Sequence, residues 1–188
     1  MVRGRDVRGK DVGKRRIWRH RRRILILLLI GFMWLNNTNL LYHGQAGTYR
    51  LLAHRGLAQT FDESEAGWDS NTAAMIDEPR HGYIENTIPS MRAAFDLGAD
   101  AVEFDVKLSK DGQLAVFHDS TLVYRCGMEG EVQDYTMAEL RQMDVGFGYT
   151  ADGGKTYPLR GKGVGLMPTM DEVLATFPDR EFVIEVKD

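Results

Sequence analysis

The stretch Ala101–Asp119, AVEFDVKLSKDGQLAVFHD, decides how the rest of the chain is read. Val102, Phe104, Val106 and Leu108 alternate with Glu103, Asp105 and Lys107, the period of two that gives a strand one apolar and one charged face. Ser109-Lys110-Asp111-Gly112 is a turn signal, and Leu114 to His118 reads as a second strand. A tight four-residue link would pair Leu108 with Gln113 and place Glu103 opposite His118, with Asp105 about 7 Å from Glu103 along the same face. Two carboxylates and an imidazole on one face suit a hard cation with an acid/base group beside it. The alternative is a solvated charged face and a histidine satisfied by its surroundings.

The N-terminus is a different kind of sequence. Residues 1–23 carry eleven Lys/Arg and two Asp, and the uncharged run Ile24–Leu35, ILILLLIGFMWL, follows directly. A basic region before an apolar one reads as a signal anchor or export signal over 24–41, with 42–48 as linker. The run is short for a membrane span, which needs ~20 apolar residues, and no A-x-A cleavage site stands before Thr48. The charge bias keeps the arm cytoplasmic and sends the remainder outside the cytoplasm, membrane-anchored, or secreted if the signal is cleaved. Nucleic acid is the weaker partner for the basic arm, and none is expected. Cys126 is the single cysteine, so neither an intrachain disulfide framework nor a thiolate metal cluster is available.

Residues 49–188 form the catalytic-type domain. Tyr49–Ala53 reads as a strand ending in His54-Arg55-Gly56, and 57–84 as a long acidic insertion, either a lid or binding loop or a variable surface loop. Asn86 or Thr87 caps a helix that Gly98 ends, and Thr136 and Thr169 each open a capping box with Glu139 and Glu172. Between these lies a glycine-rich excursion, 144–168. Its GYTADGGKT is not a phosphate loop, because five residues rather than four separate Gly148 from Gly154 and Pro158 follows where a helix should begin. The last strand, Glu181–Lys187, places Val183, Glu185 and Lys187 on one face. The element order fits an α/β barrel with its site at the C-terminal mouth. Such a barrel takes ~250 residues, so this sequence reads as about the first four strands of a longer one.

His54-Arg55-Gly56, Glu85-Asn86-Thr87, Glu103-Phe104-Asp105-Val106, Lys110-Asp111-Gly112, His118-Asp119, the segment 168–174 and Ile184-Glu185-Val186-Lys187 together resemble the glycerophosphodiester phosphodiesterase family, from about Leu51 to Asp188. The resemblance implies a triose-isomerase-type (β/α)8 barrel and metal-dependent hydrolysis of a small-molecule glycerophosphodiester to an alcohol and glycerol 3-phosphate. It implies Glu103, Asp105 and Glu185 as ligands of Ca²⁺ or Mg²⁺ and His54 and His118 as acid/base pair. It further implies Arg55 and Lys187 at the phosphate, and Glu85 at the mouth in an unassigned role. Two other readings stand beside it: an inactive half-barrel that binds a partner, and a lyase that stops at cyclic phosphate.

Overall fold

The computed structural model describes residues 8–37, 49–67 and 69–187, which fall into two units, 1–48 and 49–188. In the first, a single helix α1 (Arg8–Asn37) carries the apolar run Ile24–Leu35 with its large side chains exposed. None of the described helices is long and apolar enough to cross a membrane, so the signal-anchor reading of 24–41 gains no support. Residues 38–41, the linker and His43 lie outside the described residues.

The second unit is built on β2 (Ala101–Leu108). It pairs in parallel with β1 (Leu52–His54) along 101–103 and with β4 (Glu181–Val186) along 101–106. Its last three residues pair antiparallel with β3 (Leu114–Val116). Because β4 runs along one edge of β2 over 101–106, β1 and β3 share the other, with β3 continuing the sheet past the point where β1 stops. Four strands are thus present, three as parallel staves of a barrel and one as a hairpin arm at its mouth.

The hairpin corrects the expected register. Val106 pairs with Val116, Lys107 with Ala115 and Leu108 with Leu114, and Ser109 N–H donates to the Gln113 carbonyl at 2.8 Å. The link is five residues, not four. Asp111 shapes it by accepting from Ser109 Oγ at 2.7 Å and from the Met137 N–H at 3.0 Å. A shift of one residue reverses the faces, so Glu103 does not sit opposite His118. The histidine reaches the mouth because it lies in the loop beyond β3.

Behind the sheet, α2 (Ile88–Asp96) and α5 (Met170–Thr176) cover Val102, Phe104 and Val106, the apolar face foreseen from the alternation. Thr87, not Asn86, caps α2, and both capping boxes form as expected at α4 (Met137–Leu140) and α5. Phe182 packs edge-on against Phe95 and Phe104 at 5.7 and 5.4 Å. A second core gathers Ala73, Ile76 and Ile84 of the insertion with Leu122, Leu140, Tyr149, Leu159 and Met167. The short helix α3 (Val123–Cys126), which periodicity did not reveal, sits in it. The insertion is therefore part of the packed body, not a surface loop. In the excursion, Asp152 accepts the Lys155 and Thr156 N–H groups at 2.9 Å each, occupying amides that a phosphate loop would offer to its ligand. Cys126 is buried, and burial pushes its thiol up to about 12, in keeping with a packing role.

Phe104 is fully buried whereas Val186 is 75% exposed. Phe104→Ala should therefore cost about 3–5 kcal/mol in urea unfolding, and Val186→Ala less than about 1 kcal/mol. Equal effects would contradict this placement of the core.

Candidate functional site at the barrel mouth

Strand ends bring the carboxylates together. Glu103 and Asp105 lie two residues apart on β2, and the parallel register sets Glu185 beside Asp105. One oxygen from each of the three lies within 4.8 Å of the others. Glu103 Oε1 and Asp105 Oδ1 are buried without a hydrogen-bond partner. Burial first, and then the charge of Asp105, raise the Glu103 carboxyl above its ordinary value. Three converging carboxylates, two of them with a buried oxygen that takes no hydrogen bond, and no nitrogen or sulfur donor form a fitting cradle for a hard divalent cation.

Cations rim this cluster. Arg55 Nε lies 3.3 Å from Asp105 Oδ2, and Arg55 Nη1 donates to Glu85 Oε1 at 2.9 Å. Lys187 Nζ reaches Glu185 Oε1 at 2.6 Å and Asp105 Oδ1 at 3.5 Å. Burial lowers the Lys187 ammonium, but the bond to Glu185 and the charge of Asp105 outweigh it and the net shift is upward. Arg55 adopts a left-handed backbone, φ 57°, and its N–H donates to Glu103 Oε2 at 3.0 Å. Such a conformation in a non-glycine residue is held by its surroundings. Gly56 then has no choice of residue, since a Cβ would fall 2.9 Å from the Met91 nitrogen.

The two histidines differ. His54, at the end of β1, is largely exposed, with Nε2 3.8 Å from Glu103 Oε2. Burial and the Arg55 charge lower its imidazolium from the ordinary value. His118 Nδ1 is 2.9 Å from Asp119 Oδ1, a contact that orients the ring and leaves Nε2 for the site. His118, Glu185, Lys187 and Lys107 line one cavity of about 480 Å³. His20 is exposed, and His81 is held by Gln59 Nε2 at 3.0 Å within the insertion.

Two residues outside the expected set hold these groups in place. Asn86, left-handed at φ 58°, donates from Nδ2 to Asp105 Oδ2 at 2.9 Å and accepts the Asp105 N–H. The Glu-Asn-Thr triplet was the only sign of it, and a capping role had seemed sufficient. Arg125, 3% exposed, is the larger omission. Its Nε lies 3.0 Å from Asp119 Oδ2, its Nη1 3.1 Å from Glu85 Oε2 and 2.5 Å from the Tyr149 hydroxyl. Its Nη2 donates to Thr72 Oγ1 of the insertion at 2.7 Å. No periodicity marks a lone arginine on a four-residue helix. Burial works to raise Glu85 and Asp119, but Arg125, joined by Arg55 at Glu85 and by His118 at Asp119, outweighs it, and both carboxyls lie below their ordinary values.

Arg125→Met would strand two buried carboxylates, a loss of about 3–5 kcal/mol at neutral pH. Depressed carboxyls contribute stability that is present above their unfolded values, about 3.9 for Asp and 4.3 for Glu, and is lost as pH falls through the folded values. The gap in unfolding free energy between the parent chain and Arg125→Met should therefore shrink below about pH 4. A gap that stays constant across that range would contradict the network.

The model of the family described as "Glycerophosphoryl diester phosphodiesterase family" matches residues 54–187. The glycerophosphodiester phosphodiesterase of Caldanaerobacter subterraneus subsp. tengcongensis is 36% identical over 105 residues, 55% of this chain and 39% of that protein. The Bacillus subtilis enzyme of the same name is 37% identical over 111 residues, 56% and 36% of the two chains. Among solved structures, the glycerophosphoryl diester phosphodiesterase domain of a Mycobacterium tuberculosis protein aligns with TM-score 0.54 at 22% identity, covering 73% of this chain and 43% of that one. Glycerophosphodiester phosphodiesterase from Agrobacterium tumefaciens aligns with TM-score 0.50 at 26% identity, covering 74% and 47%. The fold is accordingly part of a triose-isomerase-type barrel, and the chain spans about two fifths of the length of the curated relatives it matches. With the family model covering more than two thirds of its residues, the chain belongs to the glycerophosphoryl diester phosphodiesterase family.

Proposed function

We propose that the protein hydrolyses glycerophosphodiesters to an alcohol and glycerol 3-phosphate. The observation that carries this reading is the convergence of Glu103, Asp105 and Glu185 within 4.8 Å, with Arg55 and Lys187 at the rim and a histidine on either side. The three carboxylates would hold Ca²⁺ or Mg²⁺, which supplies charge neutralisation at the phosphate when bound. Arg55 and Lys187 bind and orient the phosphodiester anion, Arg55 through its planar fork and Lys187 as a point charge. His54 takes the proton of the substrate's own glycerol hydroxyl as its oxygen bonds to phosphorus. His118 gives a proton from Nε2 to the alcohol oxygen as the phosphorus–oxygen bond to the alcohol breaks. Water then opens the cyclic phosphate with the two histidines in reversed roles, which returns the protons. Asp119 accepts from His118 Nδ1 and so steadies the imidazolium that the first step needs.

The N-terminal segment supports a second proposal, that the domain works outside the cytoplasm and associates with the membrane through the arm and apolar run. Eleven Lys/Arg before an uncharged stretch of twelve residues is the pattern that favours it. An alkaline phosphatase fused after Thr48 should be active in bacteria, and a fluorescent protein at the same point dark. The reverse result would place the domain in the cytoplasm.

Turnover by the chain tests the chemistry. Glycerophosphodiesters of an alkyl alcohol and of p-nitrophenol should both be cleaved with Ca²⁺ or Mg²⁺, and neither with chelator. His118→Ala should lower the alkyl rate 10²–10⁴-fold and the nitrophenyl rate far less, because nitrophenolate leaves without a proton. Glu103→Ala should abolish the metal response. A His118→Ala loss equal for both leaving groups would remove the acid role, and turnover untouched by chelator would remove the metal.

A further inference from the structure

The cavity that His118 shares with Lys107 and Lys187 has a second wall that the proposed chemistry does not use. Asp69 and Ser70, from the insertion, line it, together with Ser120 and Tyr124. Their placement is anchored on both sides. Ser120 Oγ donates to Asp69 Oδ1 at 2.5 Å, joining the insertion to the loop that carries His118. Three and four residues further on, Thr72 accepts from Arg125, and buried Ala73 accepts the Thr150 N–H at 2.9 Å.

The cavity lining carries both signs of charge, Lys107 and Lys187 with Asp69, Asp119 and Glu185. Lys187 stands with Glu185 and Asp105, where the phosphate is taken to bind. Of the lining carboxylates, Glu185 holds Lys187, and Asp119 is committed to His118 and Arg125. Asp69 is engaged through Oδ1 by a neutral hydroxyl, so its charge is met by no cation among these contacts. Through Ser120 it is tied to the loop that carries His118, and Tyr124 lines the same cavity. That is where the alcohol must point if His118 protonates its oxygen while the phosphate faces the carboxylate trio. A carboxylate and a tyrosine lining one cavity suit an ammonium group, through charge and through the ring face.

We propose that Asp69, with Tyr124, forms an alcohol subsite that selects glycerophosphodiesters whose alcohol carries an ammonium group over those with an uncharged alcohol. The proposal rests on the phosphodiesterase reading above. It gives the insertion a role in substrate choice: the barrel strands supply the phosphate chemistry and the insertion reads the group that leaves. An exposed carboxylate against a mobile ligand is a modest contact, strengthened by the aromatic wall, and its worth is roughly five- to tenfold in discrimination.

The test compares kcat/KM of the full chain for glycerophosphocholine and glycerophosphoethanolamine with that for glycerophosphoglycerol. The parent chain should favour the two cationic substrates roughly five- to tenfold. Asp69→Asn retains the oxygen that accepts from Ser120 but removes the charge, and it should bring the ratio to within about twofold of unity. Glu78→Gln, an exposed acid of the same insertion that does not line the cavity, should leave the ratio as it was. Raising the salt should shrink the parent preference. A ratio unchanged in Asp69→Asn, or a parent chain that favours glycerophosphoglycerol, overturns the subsite. Absence of turnover with all three diesters would instead overturn the phosphodiesterase reading. The subsite is then decided by saturation-transfer NMR of the same three diesters, in which Asp69→Asn must still abolish preferential binding of the cationic pair.

Discussion

Three carboxylates crowded at the ends of two neighbouring parallel strands are the constraint to which the mouth answers. At about 5 Å and an effective dielectric near 20, each like-charged pair opposes the fold by roughly 3 kcal/mol. The sheet register creates this crowding, since β2 and β4 fix Asp105 beside Glu185. Arg55 and Lys187 offset part of it from the rim, while Glu103 keeps a raised pKa and an oxygen without a partner. What remains is an arrangement that a divalent cation would complete. The folded chain thus holds an unfavourable cluster in readiness for a ligand, as functional sites commonly do.

Arg125 solves a related problem one layer down. Glu85 and Asp119 are buried carboxylates, each of which holds a side chain of the mouth: Glu85 holds Arg55, and Asp119 holds His118. A single guanidinium reaches both, together with Tyr149 and, through Thr72, the insertion. The rigid fork of arginine suits this in a way an ammonium would not. The proposed phosphate-binding and proton-donating sides of the mouth are thereby joined through one buried cation. The insertion, the excursion and α3 share a core around the same residue.

Much of this was legible in the chain, for identifiable reasons. The alternation in β2 has a fixed period, so Glu103, Asp105 and Lys107 had to share a face, and the capping boxes at Thr136 and Thr169 are local hydrogen-bond patterns that need no tertiary context. The hairpin register was not legible. It depends on whether Asp111 closes a four- or five-residue link, and that is settled by its bond to Met137, 26 residues away. The bond of Asn86 to Asp105 and the network of Arg125 were illegible for the same reason: their partners are brought close only by the fold. That the insertion packs into the body was not legible, because its buried residues, Ala73, Ile76 and Ile84, are too few and too widely spaced to form a period.

On the proposed reading, Glu103, Asp105 and Glu185 form one cation site next to both histidines. Titration of Mn²⁺ into the chain with histidine-selective ¹⁵N labelling tests it most directly, because a paramagnetic ion broadens only what lies near it. Sub-stoichiometric Mn²⁺ should broaden His54 and His118 at a lower ratio than it broadens His81. Excess Mg²⁺ should reverse the effect, and Glu103→Ala should abolish it. Broadening that spares His54 and His118, or that persists undiminished in Glu103→Ala, would contradict the site.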